Sequence, residues 1–99
     1  MDIDLVTTWE EARHVDMNGR VAIIIDVLRA SSTIVAALAS GAEKVTTVDT
    51  VENAMALADN IGRDHAVLGG ERGSVRLPGF DLGNSPLEYT ASAVSGRHV

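Results

Sequence analysis

Asp26 and Arg29 stand three residues apart, and Ser31, Ser32 and Thr33 follow directly. A carboxylate, a guanidinium and three hydroxyls so close together are the materials of a phosphate or carboxylate site. Asp26 can act as a magnesium ligand or general base, because hard divalent cations take carboxylate oxygens. Its other reading is a cap on the turn that follows. A carboxylate closing an apolar run is costly unless paired, which favours the functional reading. Arg29 and Arg72 are candidate anion clamps, since a planar guanidinium binds phosphate or sulfonate oxygens in a bidentate way. They can equally pair with Asp26 and Glu71, and both readings hold if the ion pair forms in the empty site. Ser31, Ser32 and Thr33 can offer hydroxyls and helix-start amides to an anion, although one of them is needed as an N-cap.

A second group lies between Gly69 and Ser85. This stretch contains five of the nine glycines together with Glu71, Arg72, Arg76 and Asp81. Loops of this length without internal structure are uncommon in compact domains and are often functional. Glu71 and Asp81 can complete an oxygen-rich metal site with Asp26. Asn84 and Ser85 mark the amino end of a helix, where free amides can meet a ligand and Ser85 serves as the cap. Asp2-Ile-Asp4-Leu-Val6 superficially matches the Asp-x-Asp-x-Thr/Val nucleophile motif of a phosphatase superfamily, but no buried strand precedes it to aim the first carboxylate. His14, His65 and His98 show no metal-ligand spacing, and neither a P-loop nor a dinucleotide fingerprint is present.

The elements that must position these residues follow from apolar patterning. Val21 to Val27 reads as a strand buried on both faces, as in a parallel sheet covered by helices. Its carboxyl end would place Asp26 and Arg29 where open α/β sheets bind ligands. A helix is predicted over 31–40 with Gly41 as its left-handed cap, then a strand over 44–48. Asp49 and Glu52 form a candidate capping box for a helix through Ile61, closed by Gly62, with Met55 on its core face. A short strand at 66–68, a helix from Pro86 to Val94 and the start of a further strand at 97–99 complete the series. Nearer the amino end, Ile3 to Thr7 predicts a strand and Trp9 to His14 a helical turn. The expected fold is α/β, a mainly parallel sheet covered by helices. Residues 1–99 are expected to form the amino-terminal part of a single domain without an internal boundary, and a native domain is expected to continue past Val99.

Composition narrows the partners. A net charge of −6 with scattered bases argues against nucleic acid. The longest apolar run is far too short to span a membrane, and the first twenty residues do not resemble a signal peptide. The absence of cysteine removes disulfides, thiolate metal sites and cysteine-based phosphatase chemistry. A small anionic molecule as ligand, a cytoplasmic setting by default and an open question of homo-oligomerisation remain.

Two segments in order, Ile25-Asp-Val-Leu-Arg-Ala-Ser-Ser-Thr33 and Gly70-Glu-Arg-Gly-Ser74 followed by Gly79-Phe-Asp-Leu-Gly-Asn-Ser-Pro86, resemble the 2-phosphosulfolactate phosphatase family. The resemblance implies a magnesium-dependent hydrolase that converts 2-phosphosulfolactate to sulfolactate and phosphate in coenzyme M biosynthesis. It places Asp26, Arg29, Ser31, Ser32 and Thr33 in a first site segment, and Glu71, Arg72, Asp81, Asn84 and Ser85 in a second. Ser74 departs from the pattern, where another small residue, often glycine, is expected. The competing expectation is a noncatalytic α/β anion-binding module or an inactive shortened homologue.

Overall fold

Helix boundaries follow local chemistry. The computed structural model describes all residues from Met1 to Val99. After a single turn, α1 (Trp9–Ala12), come α2 (Ala30–Ala39) and α3 (Val51–Ile61). Thr50 caps α3 by accepting from the Asn53 N–H at 3.1 Å, while Asp49 accepts from the Asn53 side chain at 2.8 Å. The cap is therefore one residue later than the predicted Asp49 box, because Thr50 is the residue with extended backbone at the helix entrance. Gly62 closes α3 at φ +102°, a conformation that favours glycine. Ala54 and Ala58 form the buried face of α3, whereas Met55, predicted as core, is half-exposed over Gly79.

None of the three hydroxyls caps α2. Arg29 occupies the cap position, and its side chain makes no capping bond. The Ser32 hydroxyl donates back to the Val27 carbonyl at 2.7 Å, and the Thr33 hydroxyl donates to the Asn84 carbonyl at 2.8 Å. At the other end Gly41 follows Ser40 with φ +91°, as its predicted capping role requires.

The predicted mainly parallel sheet is not formed. The regular sheet is an antiparallel hairpin of β1 (Glu71–Arg72) and β2 (Val75–Arg76), with Glu71 opposite Arg76 and Arg72 opposite Val75. Gly73 and Ser74 turn it with φ +58° and +63°, the pattern of a two-residue I′ turn, so the 69–84 stretch is structured. Parallel pairing is confined to single bridges, Lys44 and Ala66 each with His98, and Gly69 with Leu82. The Arg97–Val99 segment lies between the other two: Val99 donates to the Lys44 carbonyl at 2.9 Å and Val67 donates to the His98 carbonyl at 2.8 Å. The predicted order of segments is thus partly legible, but too few consecutive bonds form to make strands.

Val21 to Val27 is the other correction. It makes no ladder to another segment, and Val21 and Ile25 are 91% and 82% exposed. Ile3 to Thr7 likewise forms no strand. An apolar run sets how a strand would be buried, but burial needs a neighbouring backbone, and none lies alongside this one.

The core has two parts. Ala54, Ala58, Ala66, Leu68 and Phe80 form one cluster, and Ala37, Ala42, Tyr89 and Val94 the other. Alanine predominates because the helix and segment backbones approach closely. Beyond the hairpin, the predicted helix from Pro86 to Val94 is divided. A 3₁₀ turn (Pro86–Glu88) gives way at Tyr89, and α4 (Ala91–Val94) begins after Thr90. The break lets the Tyr89 ring enter the core.

A folded monomer of this length exposes roughly 5,400 Å², whereas this chain exposes 7362 Å². Its radius of gyration is 15.0 Å against about 13 Å for a compact domain. Eleven of the seventeen exposed large apolar side chains lie in residues 1–28. No helix is long and apolar enough to cross a membrane.

Candidate functional site

Two distant loops converge on the first turn of α2. From β1, the Glu71 carboxylate pairs with the Arg29 guanidinium at 2.5 Å, both side chains being partly buried. One turn further, Thr33 ties α2 to the Asn84 carbonyl. Arg29 and Thr33 are themselves joined through the helix, the Thr33 N–H donating to the Arg29 carbonyl at 3.0 Å. Glu71, Arg29, Thr33 and Asn84 therefore form one connected path. The amides of Ala30 and Ser32 have no acceptor, so the amino end of α2 presents free donors beside a guanidinium. That arrangement can bind an anion, provided Glu71 yields the guanidinium.

A cavity of about 360 Å³ opens next to this turn, between α2, α3 and the segments at 45–48 and 67–70. Its walls are mainly apolar, with Thr33, Glu71, Arg72, Asn84 and Tyr89 among its polar lining. The volume suits a small molecule. Arg72 adds a second cation to the lining, exposed and without a carboxylate partner.

The Gly83–Ser85 segment is held from three directions. The Tyr89 hydroxyl donates to the Gly83 carbonyl at 2.7 Å. The Glu88 carboxylate accepts from the Gly83 and Ser85 amides at 3.3 and 3.4 Å. Two glycines make room for these bonds: a Cβ on Gly69 would collide with the Tyr89 hydroxyl, and one on Gly83 would lie 2.8 Å from the Glu88 carboxylate. Burial, and then the charges of Glu88 and Glu71, push the Tyr89 phenol up to about 12, so it remains a donor.

The other candidates are placed differently. The Asp26 side chain is exposed, and its backbone carbonyl accepts from the Ser31 amide at 2.9 Å. Ser31 lies in the first turn of α2, and the Ser32 hydroxyl is used on Val27. Asp81 serves the other side of the hairpin. Its carboxylate accepts from the Leu68 amide at 2.8 Å and lies 3.5 Å from Arg63, while its carbonyl accepts from Arg76 at 3.0 Å.

Asp26, Glu71 and Asp81 therefore do not assemble as a magnesium site. Glu71 is committed to Arg29 and Asp81 to the Leu68 amide, and no three carboxylate or imidazole groups converge to hold a metal. Sequence reasoning missed Tyr89, whereas Glu88, three residues after Ser85, stands at the capping-box position and accepts from the Ser85 amide as that role requires. A signal was present: a buried tyrosine needs a partner for its hydroxyl, and the chain has a single tyrosine, beside Glu88 and near the glycine loop.

Comparison with known proteins gives one family. A sequence model of 2-phosphosulpholactate phosphatase matches residues 6–99. The chain is 41% identical over 97 residues to a protein of Clostridium acetobutylicum named "Probable 2-phosphosulfolactate phosphatase", covering 98% of the chain and 41% of that protein. A Symbiobacterium thermophilum protein of the same name is 51% identical over 85 residues, covering 85% of the chain and 36% of the relative. A third, from Carboxydothermus hydrogenoformans, is 46% identical over 89 residues, covering 90% of the chain and 36% of the relative. The chain thus spans about two fifths of the length of these relatives.

Proposed function

The chain belongs to the 2-phosphosulpholactate phosphatase family, and from that premise we propose that its α2 amino end binds the anionic groups of a small phosphoester undergoing hydrolysis. The substrate class is a small polyanionic ester such as 2-phosphosulfolactate, cleaved to sulfolactate and phosphate. The observation that carries this reading is the Arg29–Glu71 pair beside the free amides of Ala30 and Ser32. An entering phosphate or sulfonate takes the guanidinium and these amides, and Glu71 is displaced from Arg29. Arg72 is placed to meet a second anionic group. Charge developing on the phosphoryl oxygens is then stabilised by donors already in position. Water forms the new bond to phosphorus, the ester P–O bond breaks, and the proton released by water ends on the leaving alcohol oxygen. The freed Glu71 is the carboxylate available to relay that proton.

Beyond the Ser32 amide, the Ser31 and Ser85 hydroxyls and the Asn84 side chain supply further donors in this reading, and Asp26 stands at the entrance to α2. No step is routed through magnesium, because the three candidate carboxylates are dispersed. In a second reading these residues bind the anion without turnover, the guanidinium and free amides being sufficient for binding. A water-soluble phosphoester as substrate accords with a cytoplasmic setting.

Phosphate release from 2-phosphosulfolactate, measured with and without magnesium for this chain and for the Clostridium acetobutylicum relative, separates the readings. Turnover that Arg29→Ala reduces by at least about 100-fold supports the enzyme, a loss in keeping with removing a charge-assisted contact to the reacting group. Inorganic phosphate binding without release by either protein selects the noncatalytic module. If neither protein binds or hydrolyses, or if Arg29→Ala is silent, the site reading is wrong.

A further inference from the structure

The bonds around Gly83–Ser85 follow a pattern that the proposed anion site does not itself explain. Every backbone group flanking Asn84 is occupied: the Gly83 amide and the Ser85 amide by Glu88, the Gly83 carbonyl by Tyr89, and the Asn84 carbonyl by Thr33. The Asn84 N–H and its carboxamide are left without partners, and Asn84 lines the cavity. A loop pinned on all sides with one residue's donors left free is the usual form of a preorganised binding group.

We propose that Tyr89 and Glu88 are positioning residues, which act through the Gly83–Ser85 backbone to hold the free donors of Asn84 toward the anion at the first turn of α2. The proposal rests on the anion-site reading for the ligand and on geometry alone for the fixing of the loop. Three features make Tyr89 suited to the task. Its ring is anchored in the cluster with Ala37, Ala42 and Val94, so the hydroxyl has a rigid base. Gly69 leaves the space that hydroxyl needs. The phenol also keeps its proton throughout the neutral range, since its pKa is raised to about 12, and the bond to Gly83 persists across that range. Glu88 contributes from the other face as a two-oxygen acceptor, and its exposed position lets it be varied without disturbing the core.

The test uses hydrogen exchange and phosphate binding together. Tyr89→Phe retains the ring and removes only the hydroxyl. It is expected to accelerate exchange of the Gly83 and Ser85 amides by about tenfold, the effect of one lost hydrogen bond on local opening, with α3 amides unchanged. It is also expected to weaken inorganic phosphate binding by about tenfold in the native background and by clearly less when Asn84→Ala has already removed the carboxamide and left only the backbone N–H to be positioned. Glu88→Gln, which keeps one acceptor oxygen, should give a smaller change than Glu88→Ala. Unaltered exchange at Gly83 and Ser85 in Tyr89→Phe overturns the proposal. So does a loss of phosphate affinity equal in the presence and absence of Asn84→Ala. If the native chain binds no phosphate, the anion-site reading falls and the aim at an anion falls with it, whereas the exchange measurement still decides whether Tyr89 fixes the loop.

Discussion

Between Val21 and Leu28 the six large apolar side chains are 65 to 91% exposed, whereas Ala37, Ala58, Ala66 and Val94 in the rest of the chain are at most 3% exposed. The sequence would rank these regions the other way, because isoleucine and valine have far more apolar surface to bury than alanine. What differs is the availability of a partner. In residues 30–99 the helix–cap–segment units return the chain on itself, and alanine allows α2 and α3 to approach the segments at 42–46 and 65–69 closely. In residues 1–28 no second backbone lies beside the apolar run. Hydrophobicity supplies the driving force for burial, and topology decides whether it is used.

The sharpest way to break this comparison is to place the same charge in both regions. Ala58→Asp buries an unpaired carboxylate in the α3 cluster and is expected to cost more than about 4 kcal/mol, enough to abolish cooperative unfolding. Ile24→Asp, at a position 79% exposed, should change stability by no more than about 0.5 kcal/mol. It should also reduce concentration-dependent self-association, since an exposed apolar run of this kind invites intermolecular pairing. Thermal unfolding followed by circular dichroism checks the first pair of outcomes and light scattering the last. Equal losses from both substitutions would mean that the two regions are buried alike.

The same contrast shows how far the sequence could be read. The helices were legible because Gly41 and Gly62 mark their ends by local backbone geometry, which needs no tertiary partner. The alliance of the Asp26–Thr33 segment with the glycine-rich stretch was legible too, and the Arg29–Glu71 pair joins them across 42 positions. The expected N-cap among the three hydroxyls does not form, because Ser32 and Thr33 donate to the Val27 and Asn84 carbonyls, acceptors set by folding rather than by spacing. The strand at Val21 could not be judged from its pattern, which reports what a neighbour would bury and not whether one is present. The hairpin is not legible in the sequence, where the 69–84 stretch reads as a loop, because Glu71-Arg72 and Val75-Arg76 are too short and too charged to show strand alternation around the Gly73-Ser74 turn. Ser74 departs from the expected small residue at the place where φ is +63° and glycine would be unstrained.

A smaller perturbation within the folded region is Val94→Ala. Val94 is fully buried and packs with Tyr89, so removing two methyl groups should cost about 2 kcal/mol. Chemical denaturation should show a lower midpoint with an unchanged slope. The equivalent change at Val21, 91% exposed, should leave the midpoint where it is. A loss at Val94 below about 0.5 kcal/mol would indicate that the second cluster is loosely packed.

Titration separates the regions without mutation. Tyr89 is raised from 10.0 to about 12 in the folded chain, first by burial and then by Glu88 and Glu71. Folding therefore favours the protonated phenol: its contribution is fully present below pH 10 and is lost as pH rises through about 12. Unfolding midpoints should fall across that interval, and Tyr89→Phe should remove this part of the alkaline loss.

At the amino end the sign reverses and the effect is the smallest. Glu11 is lowered from 4.5, chiefly because its carboxylate accepts from the Thr7 amide at 2.9 Å and then from the Thr7 hydroxyl at 3.0 Å. The stabilising effect is present above pH 4.5 and disappears as pH falls through the lower folded value. Because the group is fully exposed and α1 has no buried residue, the turn should loosen locally while global unfolding stays unmoved by this group. The check is a pH titration of the Thr7 amide resonance beside the unfolding midpoints of the native chain and Glu11→Gln. A midpoint that tracks the Glu11 titration and becomes insensitive in Glu11→Gln would show that residues 1–28 are energetically coupled to the folded region after all, and the comparison between them would have to be redrawn.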